Sequence, residues 1–148
     1  MYELTLNMLV ILMEETKYNK LLELSTEIKS TIENVEIIKN SLNIVPVSIF
    51  ITDTSGTILW SNDYFKELSG WGDEIIGKTP RVLKSGFHDE EFYKDMWTKL
   101  LSGESYKGTV INKNKNGELK KQSTTISPVF DVNKKITHFI AINLDIAE

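Results

Sequence analysis

The pattern of apolar and polar positions changes character along the chain. From Leu21, apolar residues recur at heptad spacing as Leu21, Leu24, Ile28, Val35, Ile38 and Leu42, with Thr31 the one polar residue in the seam. That spacing predicts a helix with a narrow stripe that lies either on the domain's own sheet or against a second copy in a parallel dimer. Carried backward, the register puts Lys17 and Glu14 in the seam. The repeat is therefore expected to start near Leu21, with Leu4 to Met13 a separate apolar helix or a differently phased stretch. Because all three prolines and all eight glycines fall at or after Pro46, no strong breaker interrupts the first segment.

After Pro46 the period shortens. Val47 to Asp53 and Thr57 to Ser61 read as two strands joined by the turn Thr54-Ser55-Gly56. Asp63 to Leu68 reads as a short helix stopped by Ser69-Gly70, and Asp73 to Gly77 as a single turn. Pro80 to Ser85 is short and irregular or helical. Asp89-Glu90-Glu91 places acids in the first turn of a longer helix that carries Phe92, Met96, Trp97 and Leu100 on one face and ends at Gly103.

A hairpin from Lys107 to Val129 follows, centred on Lys115-Asn116-Gly117, where glycine takes the left-handed loop position without a Cβ penalty. That loop sets Asn112 opposite Lys120 and Val110 opposite Gln122, so Val110, Asn112, Gln122, Thr124 and Ile126 share one face. After the turn Asp131 to Lys134, Ile136 to Leu144 is apolar on both parities, as in a central or doubly covered strand. Its periodicity leaves the direction of Asn143 open. Strands at both ends with helices between them indicate an α+β domain with one antiparallel sheet. The expected division is a helical extension over 1–42 and a globular domain over 43–148.

Composition narrows the chemistry. In 148 residues with 41% hydrophobic content there is material for one core and an extension. No cysteine is present, which excludes disulfides, thiolate metal sites and a nucleophilic or adduct-forming thiol. The two histidines, His88 and His138, have no second ligand at a metal-binding spacing. His88 is expected to cap a helix or face solvent, and His138 to point outward. A net charge of -4 gives no reason to expect nucleic acid or an anionic membrane as partner, and the hairpin-tip lysines 113, 115, 120 and 121 read as a solvated tip. No apolar run is long enough to span a bilayer and no signal peptide is visible, so a cytoplasmic protein is expected. No nucleophile-base pair or phosphate-cradling loop is visible, so no catalytic residues are assigned.

Several blocks in order, Ile51 to Ile58, Asn62-Asp63-Tyr64-Phe65, Ser69-Gly70-Trp71, Asn112 to Gly117, Ser127-Pro128-Val129 and Asp145-Ile146, resemble a PAS domain from about Leu42 to Glu148. The resemblance implies a five-stranded antiparallel sheet of order 2-1-5-4-3 that cups short helices around a pocket, behind a long N-terminal helix. It also implies a sensor of ligand, redox state or light that relays through flanking helices. The flavin-binding members, light-sensing LOV domains and redox-sensing PAS domains, are the most similar. Gly77 to Leu83 resembles the LOV motif that carries a flavin-attacking cysteine, and here Pro80 takes the cysteine's place, which excludes that photochemistry.

Carried over position by position, Asn112, Gln122 and Asn143 match the flavin-contacting amides, and Trp97 matches the helix tryptophan beside the flavin. On this resemblance Asn143 turns toward the pocket with Thr137, Phe139 and Ala141. A carboxamide donates and accepts at once, which suits the mixed edge of a flavin ring. The expected cofactor is FAD, used through its redox state. The alternatives are a cofactor-free dimerisation and relay domain, or a sensor of an unknown small metabolite. Expected partners are a second copy, through a parallel homodimer of the Leu21 to Leu42 helix, and a downstream signalling domain such as a histidine kinase or diguanylate cyclase outside this chain.

Overall fold

The structure, a computed structural model, describes residues 2–147, with side chains from Thr5 onward; Met1, Glu148 and the side chain of Leu4 lie outside what is described. Its contacts divide the chain into two compact units, Met1–Ser41 and Leu42–Glu148.

The first unit is helical. Helix α1 runs without a break over Tyr2–Ile44, so of the two expectations for Leu4 to Met13 the differently phased stretch of one helix holds and the separate helix does not. The physical reason is the absence of Gly and Pro: a change of apolar phase moves the stripe around the helix but removes no backbone hydrogen bond. The polar seam residue Thr31 returns its hydroxyl to Glu27 O at 2.9 Å, as Thr16, Thr26 and Ser41 do one turn back, so none needs an outside partner. Leu21, Leu24, Ile28, Val35 and Ile38 are exposed. No helix among the described residues is long and apolar enough to cross a membrane.

The second unit is an antiparallel sheet of β1 (Ser48–Asp53), β2 (Ile58–Ser61), β3 (Tyr106–Lys113), β4 (Leu119–Phe130) and β5 (Ile136–Asp145). Its order is β2-β1-β5-β4-β3, and β5, the strand apolar on both parities, occupies the centre. Asn112 faces Lys120 and Val110 faces Gln122, the register that the Asn116-Gly117 loop dictates. Gly117 has φ +86°, and Asn114 Oδ1 accepts from the N–H groups of Asn116 and Glu118.

Between β2 and β3 lie α2 (Asp63–Ser69), two 3₁₀ turns (Gly72–Ile75 and Pro80–Leu83) and α3 (Glu90–Leu101). Each helix starts where an acid or amide caps it: Asn62 Oδ1 accepts from Phe65 N at 3.1 Å and Asp89 Oδ1 from Phe92 N at 2.9 Å. Helix α2 ends at Gly70, which is left-handed at φ 71° and donates to Glu67 O. The helices pack on one face of the sheet. Phe50, Ile58, Phe65, Ile75, Leu83 and Ala141 form one buried cluster, Met96, Leu100, Val110 and Phe139 another, and half-buried Ile126 touches both.

Candidate functional site

Where those two clusters draw apart, the sheet and helices enclose a cavity of about 600 Å³. Its floor comes from alternate residues of four neighbouring strands: Phe50 and Thr52 of β1, Phe139, Ala141 and Asn143 of β5, Thr124 and Ile126 of β4, and Val110 and Asn112 of β3. That row is the consequence of a period of two on a sheet whose other parity faces away. Met96 and Trp97 of α3 and Leu83 of the second 3₁₀ turn form the wall. The Trp97 ring meets Phe139 edge-on, centroids 5.4 Å apart. A Cβ added at Gly56 would stand 3.6 Å from the same ring, so the indole contacts both the turn at Gly56 and strand β5.

Of the four residues that the amide and tryptophan pattern singles out, three line this cavity: Trp97, Asn112 and Asn143. Asn143 is 3% exposed and accepts from Thr124 Oγ1 at 2.7 Å, which leaves its Nδ2 group as a donor. Asn112 Nδ2 donates to Gln122 Oε1 at 3.0 Å, which leaves Asn112 Oδ1 as an acceptor. Gln122 lies behind Asn112 and does not line the cavity. It is 6% exposed, and its Nε2 donates to Asp145 Oδ1 at 2.8 Å. Thr137, expected among the inward residues of β5, is likewise not on the cavity wall; its hydroxyl donates to Val129 O at 3.3 Å.

The opening carries groups that sequence patterns did not single out. Arg81, Lys84 and Lys94 stand there with Glu90, and none of the three cations has an ion-pair partner among the described residues. Lys84 Nζ lies 4.0 Å from the centroid of the Tyr93 ring. The Tyr93 hydroxyl is buried without a partner, and burial, with the neighbouring Tyr106, pushes its phenol above the ordinary tyrosine range. These residues come from a 3₁₀ turn and from the first turns of α3, outside the apolar stripe of Phe92, Met96, Trp97 and Leu100. The usable signal was the basic spacing Arg81, Lys84 across a 3₁₀ turn, whose three-residue period puts both on one side.

His88 corrects its expectation. It neither caps α3, which Asp89 does, nor stands free: its Nε2 accepts from Ile111 N at 2.9 Å and its ring stacks on Phe92 at 3.9 Å. The residue thus ties the entrance of α3 to β3. Beside it Ser85 Oγ donates to Ile111 O at 2.5 Å, so both polar groups of Ile111 are satisfied by side chains from one loop. The hairpin-tip Lys115 pairs with Glu74 at 2.7 Å, and Lys120 with Glu118 at 3.1 Å. Among the described residues no cluster of three or more His, Cys, Asp or Glu side chains could hold a metal ion.

Known proteins share this frame. A nitrogen fixation regulatory protein of Klebsiella oxytoca is 29% identical over 102 residues, covering 68% of this chain and 21% of that protein. A blue-light-activated histidine kinase of Brucella anthropi is 29% identical over 110 residues, 72% of this chain and 22% of the kinase. The chain thus spans about a fifth of the length of the curated relatives it matches. Among solved structures, an RNA-binding light-oxygen-voltage receptor superposes with a TM-score of 0.69 at 21% identity over 74% of this chain and 32% of the receptor. The PAS domain of an HTR-like protein from Haloarcula marismortui gives 0.69 at 20% identity over 82% of this chain and 99% of that one. Residues 46–148 match the PAS domain family itself. Together with the β2-β1-β5-β4-β3 sheet cupping a cavity, that match means that this chain belongs to the PAS domain family and carries a sensory domain of that family.

Proposed function

We propose that the cavity binds a flavin nucleotide, FAD, and that the chain is a cytoplasmic, non-catalytic sensor that passes the redox state of this ligand to an effector outside residues 1–148. The observation that carries this reading is the cavity. Its volume of about 600 Å³ is that of a small-ligand site, and its deep end offers an acceptor at Asn112 Oδ1 and a donor at Asn143 Nδ2. The pyrimidine edge of an isoalloxazine presents an N–H donor between carbonyl acceptors, the complement of that pair. Trp97 and Phe139 supply flat apolar surface for the ring system, and Arg81, Lys84 and Lys94 suit the phosphates at the opening. A bound flavin would supply redox chemistry. The residues present would bind it, orient its edge and exclude water.

Relatives support a signalling role, since they include a blue-light-activated histidine kinase and a bacterioopsin transcriptional activator of Halobacterium salinarum, each far longer than this chain. A matching structure concerns a flavin analogue in a light-oxygen-voltage domain. With no cysteine in the chain, a thiol adduct is not available, which favours a redox readout. A cofactor-free relay domain would be expected to fill its interior with large side chains, whereas here Ala141 and Thr124 leave the floor open. Residues 1–42 would serve as the relay helix and dimer contact, and 43–148 as the sensor.

The test is reconstitution. Purified protein incubated with FAD or with FMN and passed through gel filtration should retain FAD at one per chain, with the visible absorption of an oxidised flavin. Asn112→Ala combined with Asn143→Leu should weaken retention at least tenfold, as expected for two lost hydrogen bonds of about 1 kcal/mol each. Retention of FMN alone would correct the nucleotide. Retention of neither would overturn the flavin reading in favour of another metabolite.

A further inference from the structure

Three polar side chains on the inner face of the sheet are joined in series. Asn112 Nδ2 donates to Gln122 Oε1 at 3.0 Å, and Gln122 Nε2 donates to Asp145 Oδ1 at 2.8 Å. The register makes this row: Gln122 is directly opposite Asp145 across β4 and β5, and Asn112 is its diagonal neighbour, two residues from Val110, which faces Gln122 across β3 and β4. Ile146 N donates to Lys121 O at 2.9 Å, which holds the end of β5, and so Asp145, against β4.

The order of donors and acceptors along this row is dictated from one end. A carboxylate has acceptors only, so Gln122 must turn its NH₂ toward Asp145 and its oxygen toward Asn112. Asn112 must then give its NH₂ to Gln122, and its oxygen is left for the cavity. Turning Asn112 over would set oxygen against oxygen at Gln122. Turning Gln122 as well would only move that clash to Asp145. Gln122 is 6% exposed, so water cannot readily repair the first arrangement, and in the second the exposed Asp145 carboxylate would have to leave Gln122 for water. At the other amide no such constraint acts, because the partner of Asn143 is the Thr124 hydroxyl, which both donates and accepts.

We infer that Asp145, which does not line the cavity, sets the hydrogen-bond polarity of its Asn112 end through Gln122, so that the site selects a ligand presenting an N–H or O–H there and rejects one presenting a carbonyl or an alkylated nitrogen. The inference rests on the reading of the cavity as the flavin site and names the determinant of its specificity. Asp145 and Gln122 are positioning residues.

Asp145→Asn tests it, since an amide at 145 can face Gln122 either way while the fold around it is kept. Side-chain amide NMR of the ligand-free full chain reads polarity without any ligand. Wild type should show protected Asn112 and Gln122 NH₂ groups, each in one orientation. In D145N their solvent exchange should quicken by about tenfold, the scale of one hydrogen bond to a charged group. Equal protection in D145N and wild type would overturn the inference. Binding of riboflavin and N3-methylriboflavin then reads selectivity: wild type should prefer the N3–H form, and D145N should narrow that preference by about tenfold. An unchanged ratio overturns the inference and leaves the flavin reading standing. If wild type binds neither, the flavin reading falls, and the NMR comparison alone decides on Asp145.

Discussion

Asn62 is where the domain should be most sensitive to one side-chain amide. It is fully buried at 0% exposure and uses four hydrogen bonds. Its Oδ1 accepts from Ile49 N at 3.0 Å and Phe65 N at 3.1 Å, and its Nδ2 donates to Leu42 O at 3.0 Å and Val47 O at 2.8 Å. Its own N–H donates to Ile49 O at 2.9 Å, so the residue extends the β1–β2 ladder by one step while capping α2. Asn62→Ala removes the cap, worth about 1 kcal/mol, and leaves Ile49 N unpaired in the interior, about 1–3 kcal/mol. The two carbonyls add about 0.5–1 kcal/mol each if water reaches them. The expected loss is about 3–6 kcal/mol, a large part of the stability of a domain this size, and a fall in Tm of roughly 15–25 °C. Urea unfolding followed by tryptophan fluorescence measures it cleanly, because Trp60, Trp71 and Trp97 all lie in the unit that starts at Leu42. Asn62→Asp keeps both acceptors and turns a carboxylate toward two carbonyl oxygens, so at pH 7 it should be worse than alanine and recover as the carboxyl is protonated. A loss below about 1.5 kcal/mol for N62A, or N62D matching wild type at pH 7, would refute the account.

Four further outcomes are expected. Ala141→Leu fills the cavity floor, so it should leave the protein folded with unchanged or higher Tm while abolishing retention of FAD in gel filtration. Lys134 is the one non-glycine residue at positive φ, 63°, among the described residues, so Lys134→Gly should raise stability by about 0.5–1 kcal/mol in urea unfolding. The Asp53 carboxyl is held below the usual carboxylate range by the Ser55 hydroxyl and then by backbone N–H groups, chiefly that of Thr57. Its contribution is therefore present above the unfolded-state pKa and lost as pH falls through the lower folded value, and Asp53→Asn should flatten the acid limb of a Tm-against-pH curve. If residues 1–42 form a dimer contact, as proposed, the wild type should sediment as a dimer and Ile28→Glu with Val35→Glu as monomers, without altered tryptophan fluorescence; a double variant that stays dimeric would place the contact elsewhere, and a monomeric wild type would refute it.

What the sequence made legible follows from how local each determinant is. The β3–β4 register was readable because Asn116-Gly117 fixes a loop and the loop fixes every pair after it, Asn112 with Lys120 included. The central place of β5 was readable from apolar residues on both of its parities, although only the inner parity is buried and Ile142 and Leu144 on the outer one are exposed. The length of α1 was less readable, since apolar phase and helical continuity are separate properties: Lys17 and Glu14 interrupt a stripe without interrupting a helix.

Gln122 shows a different limit. Its parity correctly put it on the inner face with Asn112, yet a face is not a site. Whether an inward amide meets a ligand or a neighbour depends on what stands diagonally across the sheet, and the residue that decides it, Asp145, lies across a second hairpin whose turn carries no glycine to fix the count. Asp145 was readable as a sequence block and silent as a contact. His88 is the same case in another element, its acceptor role set by Ile111 on a strand it shares no pattern with. Residues that line the cavity, Trp97, Asn112 and Asn143, are thus found by matching positions, whereas the partners of those amides emerge only when donors and acceptors are followed to the end of the row. In this domain that row ends at the carboxylate of Asp145, the last residue of β5.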